Sequence, residues 1–116
     1  MMGRYYILAG DAAVEEPDFG RWAAWHGDWY ERVRCIDRTP VKFGAVVTVF
    51  LGVNMAAGES QPPLLFETRV MGGWLANKWE RYSTLAEAHS GHQAWVAKVR
   101  EMEEQHELPP PDCRVW

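Results

Sequence analysis

The sequence has few cysteines, few positive charges and no long apolar run. Its 116 residues include only two cysteines, Cys35 and Cys113, too few for a disulfide-built scaffold. Residues 1–10 lack a basic segment followed by an apolar stretch, so a cytoplasmic protein with two free thiols is expected. No window approaches the roughly 18 apolar residues of a membrane span, which argues against a membrane partner. Lys and Arg number 12 against 16 Asp and Glu, for a net charge of −4. That balance gives no strongly positive field for phosphate, which makes a nucleic-acid partner unlikely, and it is too weak for an acidic mimic of DNA. No GxxxxGK[ST], HExxH or CxxC spacing occurs, and no cofactor is expected.

What is abundant is tryptophan, at positions 22, 25, 29, 74, 79, 95 and 116. Each ring buries a large area and seeks a partner for its N–H. A domain of this size cannot hide all seven, so some should serve as interface anchors. The interaction candidates are Trp22, Trp25, Met55, Trp74 and Trp116.

The pattern predicts an α+β fold, with an antiparallel sheet of four to five strands packed against a C-terminal amphipathic helix, plus a short N-terminal helix. One domain over 1–108 would be followed by a Pro-rich tail over 109–116. Residues 4–8 read as a strand and 10–16 as a loop. Pro17 and the acids around it open a helix over 18–26, with Phe19, Trp22, Ala23 and His26 on one side. Residues 29–36 read as a strand and 37–40 as a turn. Residues 42–53 are the strongest strand signal, with Phe43, Ala45, Val47, Val49, Leu51 and Val53 forming one wholly apolar face. Two further strands, 64–71 and 78–82, flank a turn in which Gly72-Gly73 needs positive φ. Thr84 and Glu87 have capping-box spacing ahead of a helix over 83–104. Its core stripe is Leu85, Ala88, His92, Trp95, Val99 and Met102, and Gly91 suggests close passage over the sheet.

The strings TVFLG (48–52), PPLLFET (62–68), Gly72-Gly73, RYST (81–84), Glu87-Ala88 and Gly91-His92 resemble a family of small proteins encoded by bacteriophages and prophages. The resemblance spans roughly residues 47–96. It implies a phage-encoded protein of the bacterial host cytoplasm and implies no enzyme activity. In that family's pattern a His follows the acidic or amide residue after Leu-Gly. Here Asn54 is followed by Met55, so any ligand or base at that position is missing.

Candidate chemistry is sparse. His89 and His92, three apart on a helix, have metal-binding spacing, with His26, Glu67 or a cysteine as a third ligand. The simpler reading places His92 at the core edge, bonded to the sheet, and His89 in solvent. Glu67 beside His92 would make an acid/base pair; otherwise it joins a cross-strand ladder with Arg69, Arg81 or Arg34. Cys35 reads as a buried, inert thiol. Arg32, Arg34, Arg38 and Lys42, with Trp29 and Tyr30, offer a single-strand nucleic-acid surface, which Glu31 and Asp37 oppose. The loop 54–63 is either a partner surface or a simple connector. The leading expectation is an accessory protein acting through protein–protein contact. The alternatives are a small enzyme or metal protein centred on His92 and Glu67, and a single-strand binder on the Arg32, Arg34 and Lys42 strand pair.

Overall fold

A computed structural model describes residues 4–29, 35–57 and 61–111. Two antiparallel sheets and two helices make an α+β fold, as the pattern of elements predicts. The first sheet is a hairpin of β1 (Tyr6–Ala9) and β2 (Ala12–Glu15), turned at Gly10 with φ +63°. The expected loop over 10–16 is thus half strand. Its Ala-rich sequence lacks the β-branched alternation that would have marked it.

Helix α1 (Phe19–Trp29) follows, its start fixed by Asp18, whose Oδ1 accepts from Arg21 N–H at 3.0 Å. It runs past its expected end at His26, so the expected strand over 29–36 is corrected. Trp29 is the last helical residue, residues 30–34 lie outside the described residues, and a strand begins only at Cys35.

The main sheet has strands β3 (Cys35–Val41), β4 (Gly44–Phe50), β5 (Phe66–Met71) and β6 (Trp79–Tyr82), antiparallel in that order. The expected turn at 37–40 is instead the middle of β3. Composition misleads there because β3 is an edge strand: Pro40 need not donate a ladder bond, and a register shift between Cys35 and Asp37 bends the chain. The actual turn is Lys42-Phe43. The Gly72 and Gly73 turn residues hold φ of +81° and +83°, as expected.

Helix α2 (Leu85–Glu104) covers one side of this sheet. Thr84 and Glu87 form the reciprocal capping box: Glu87 N–H donates to Thr84 Oγ1 at 3.1 Å, and Thr84 N–H donates to Glu87 Oε1 at 3.1 Å. Ala88, His92, Val96 and Val99 are its buried residues. A Cβ at Gly91 would overlap the Tyr82 ring, so the close passage over the sheet is real. At the far end Glu103 Oε2 accepts from Phe43 N–H at 2.9 Å, pinning the β3–β4 turn to α2.

Strand β4 lies inside the sheet between β3 and β5, and its two faces are unequally buried. Val46, Thr48 and Phe50 are 0%, 0% and 1% exposed, whereas Val47 and Val49 are only half-buried. Val46 and Val70 pack on Val96 and Val99 of α2, and Phe50 and Phe66 pack with Tyr6, Leu65, Tyr82 and Ala88. The N-terminal unit joins at that second cluster. Trp25 meets Phe50 edge-on at 5.9 Å, and Trp22 Nε1 donates to both Tyr6 O and Gly52 O, at 3.1 and 2.9 Å.

Candidate functional site

His92 is completely buried between α2 and the sheet. Its Nε2 lies 2.8 Å from Thr39 Oγ1 and its Nδ1 lies 2.7 Å from Thr48 Oγ1, which is itself 2.5 Å from Thr68 Oγ1. Two threonines thus satisfy the two ring nitrogens and Thr68 satisfies Thr48 in turn, which is how Thr48 and Thr68 can occupy core positions. Burial pushes the imidazole pKa below its ordinary value. The carboxylate of Asp37, 3.5 Å from Nε2, works against that shift, and His89 adds to it. Asp, His and Thr are the residue types of a nucleophilic relay, but the arrangement is different. Asp37 and Thr39 both address Nε2, whereas a relay needs the orienting acid and the nucleophile on opposite ring nitrogens. Thr48, on the other nitrogen, is buried to 0% exposure.

The other expected chemistry is dispersed. Glu67 and His92 are on opposite faces of the sheet, so the alternative acid/base pair is not formed. The reason is the two-residue period of β5, which turns Thr68 toward α2 and Glu67 away. Glu67 instead pairs with Arg81 at 3.1 Å and Arg69 at 3.5 Å, the ladder alternative. His89 is exposed, and His26 stacks on Trp22 at 4.7 Å. Among the described residues no three His, Cys, Asp or Glu side chains gather as metal ligands. Cys35 is exposed, which corrects its expected burial; it lies on the edge strand and the side away from α2.

Of the interaction candidates, Trp22 and Trp25 spend their rings and Trp22 its N–H on internal packing. Met55 is 42% exposed at the neck of the β4–β5 loop, where Asn54 Oδ1 accepts from Ala56 and Leu64 N–H. Trp74 stacks on His106 at 4.0 Å and donates to Leu108 O at 3.1 Å, holding the end of the chain that follows α2. Trp116, Arg32 and Arg34 lie outside the described residues, and Lys42 is exposed in the β3–β4 turn. Among the described residues no helix is long and apolar enough to cross a membrane.

The surface that sequence reading missed is the sheet face turned away from α2. Cross-strand register puts Arg38, Val47, Glu67 and Arg69, and then Met71, Trp79 and Arg81, on this one side. No described helix packs there: α2 contacts the strands from the opposite side, and α1 attaches through β1. Trp79 is half exposed and Met71 is 40% exposed. The Arg81 guanidinium lies 4.4 Å over the Trp79 ring and also bonds Glu67. Among the described residues, three strand arginines thus share the face with one strand carboxylate, in a chain whose net charge is −4. The alternation of Arg69 with Met71, and of Trp79 with Arg81, was the available signal. It was obscured because both faces of β4 carry apolar residues, so the strand does not mark which side is covered.

Comparison with protein-family models, with curated proteins and with solved structures finds no match to this chain.

Proposed function

We propose that this protein is a binding module that docks a carboxylate-bearing protein partner on the α2-distal face of its main sheet. The observation that carries the reading is the segregation of charge: among the described strand residues only one acid, Glu67, sits on that face, against Arg38, Arg69 and Arg81. Positive charge beside exposed Trp79 and Met71 combines the residue types that anchor protein interfaces, with charge that steers an acidic partner. A protein partner suits the face better than a nucleic-acid strand. One face of the Trp79 ring is already occupied by Arg81, and Glu67 sits where a phosphate chain would run. The resemblance to phage-encoded proteins supports an accessory role in a bacterial host, with the partner supplied by host or phage.

The test is selection of peptides from a random display library on the immobilised protein. Enrichment of sequences combining Asp or Glu with apolar residues is expected. Their binding should be lost in an Arg38→Glu/Arg69→Glu double variant and kept in Lys98→Glu on α2. Both arginines are exposed, so the fold should persist. No acidic enrichment, or binding indifferent to the double variant, would refute the reading. Steeply salt-dependent binding of oligo(dT) on the same face would replace the protein partner with a nucleic acid.

A further inference from the structure

At one end of the α2-distal face, between the β3–β4 turn and the end of β5, lies a cavity of about 350 Å³. We infer that it seats a single apolar side chain of the partner, of phenylalanine or leucine size, whose neighbouring carboxylate pairs with Arg38. The inference rests on the binding-module reading and specifies how the partner is anchored.

The cavity exists because two backbones meet where side chains are absent. A Cβ on Gly44 would collide with the carbonyl of Met71, and one on Gly72 would stand 2.5 Å from the carbonyl of Phe43. Gly72 also holds φ of +81°, a conformation that disfavours any side chain. The floor is therefore backbone in close contact, which is rigid. The walls are Phe43, Ala45 and Met71, all apolar. Phe43 is held in place from behind by its N–H bond to Glu103 at 2.9 Å. The volume falls at the small end of the range for ligand sites, enough for one ring or branched chain.

Arg38 is the one charged residue in the lining. Arg69 and Arg81 share Glu67, but Arg38 makes no ion pair with any described residue. Lys42, whose ammonium lies 5.1 Å over the Phe43 ring, adds a second cation at the rim. An apolar pit with an uncompensated guanidinium at its mouth selects a ligand that is apolar at one end and anionic at the other.

Two small probes test this without any knowledge of the partner: N-acetyl-phenylalanine, which carries the carboxylate, and its neutral amide. Titrated into the full-length, nitrogen-15-labelled protein, the acid should shift the backbone amides of Phe43, Gly44, Met71 and Gly72. It should bind about fivefold tighter than the amide, as expected for one partly exposed ion pair. Arg38→Gln should bring the acid down to the amide's affinity while the spectrum stays dispersed, and Met71→Ser should weaken both probes alike. Shifts centred elsewhere, or equal affinity of acid and amide for the unaltered protein, would overturn the inference. If acidic peptides are selected in an Arg69-dependent manner while the probes miss the cavity, the cavity assignment fails and the module stands. If the probes seat there but no acidic peptide is selected, the module fails and the cavity stands.

Discussion

Lowering the pH from about 7.5 to about 5.5 should destabilise this protein through His92. In the unfolded chain this imidazole titrates near its ordinary value of about 6.5. In the fold its pKa is lowered, first by complete burial and then by His89, with Asp37 opposing. Protons therefore favour the unfolded state. The stabilisation is complete above the unfolded pKa and is lost as pH falls through that value toward the folded one. Over the stated interval the unfolded imidazole goes from about one-tenth to about nine-tenths protonated. If the folded ring stays neutral throughout, the loss is about 1.4 kcal/mol; any strengthening of the Asp37 contact on protonation reduces it. Urea unfolding at the two pH values, with the denaturant slope unchanged, measures this directly. In His92→Gln, a neutral side chain that keeps hydrogen-bonding capacity, the difference should shrink to whatever the carboxylates contribute. Wild-type protein equally or more stable at the lower pH, or an undiminished loss in His92→Gln, would refute the reasoning.

Three further outcomes are expected. Gly91→Ala, which in an open helix gains about 1 kcal/mol, should here destabilise, because its methyl overlaps Tyr82 and overpacking costs about 1–3 kcal/mol. In a Tyr82→Ala background the same substitution should turn stabilising, which a double-mutant cycle by urea unfolding will show. Thr84→Ala should cost about 1 kcal/mol by removing the acceptor for Glu87 N–H, while Glu87→Gln, which still reaches back to the cap, should cost less, both read by thermal unfolding followed by circular dichroism. In a Cys113→Ser background, Cys35 should react with Ellman's reagent in the native state nearly as fast as in urea, since its side chain is exposed.

The elements readable in the sequence were those whose signals are local and redundant. Helix α2 carries a capping box, a periodic stripe and sufficient length, and its glycine marked contact with the sheet. The β5–β6 connection was marked by two glycines that do require positive φ. The elements misread were those where composition and burial disagree. Edge strand β3 carries Asp37, Arg38 and Pro40, turn-like residues that an edge accommodates because one side of its backbone faces solvent. Strand β4 was recognised, but apolar residues on both of its faces left the buried one unmarked. Thr48 goes inside on the same face as Val46 and Phe50, where His92 and Thr68 bond its hydroxyl. No local pattern announces that network, since Thr39, Thr48, Thr68 and His92 come from four separate elements.

The division of β4 between its two faces bears on function. Fully burying a valine is worth about 1.5 kcal/mol or more, and the alternation that buries Val46 and Phe50 on one side of β4 leaves Val47 and Val49 on the other. Thr48 goes inward with Val46 and Phe50, and the buried hydroxyls are offset by a satisfied network around one histidine. The consequence is that two β-branched side chains remain half-buried on the face that also holds Arg38, Arg69, Met71 and Trp79. A partner seated there would complete the burial that α2 completes on the other side. The valines, the exposed tryptophan and Arg38, which makes no ion pair with any described residue, then lie together on one surface that such a partner would cover.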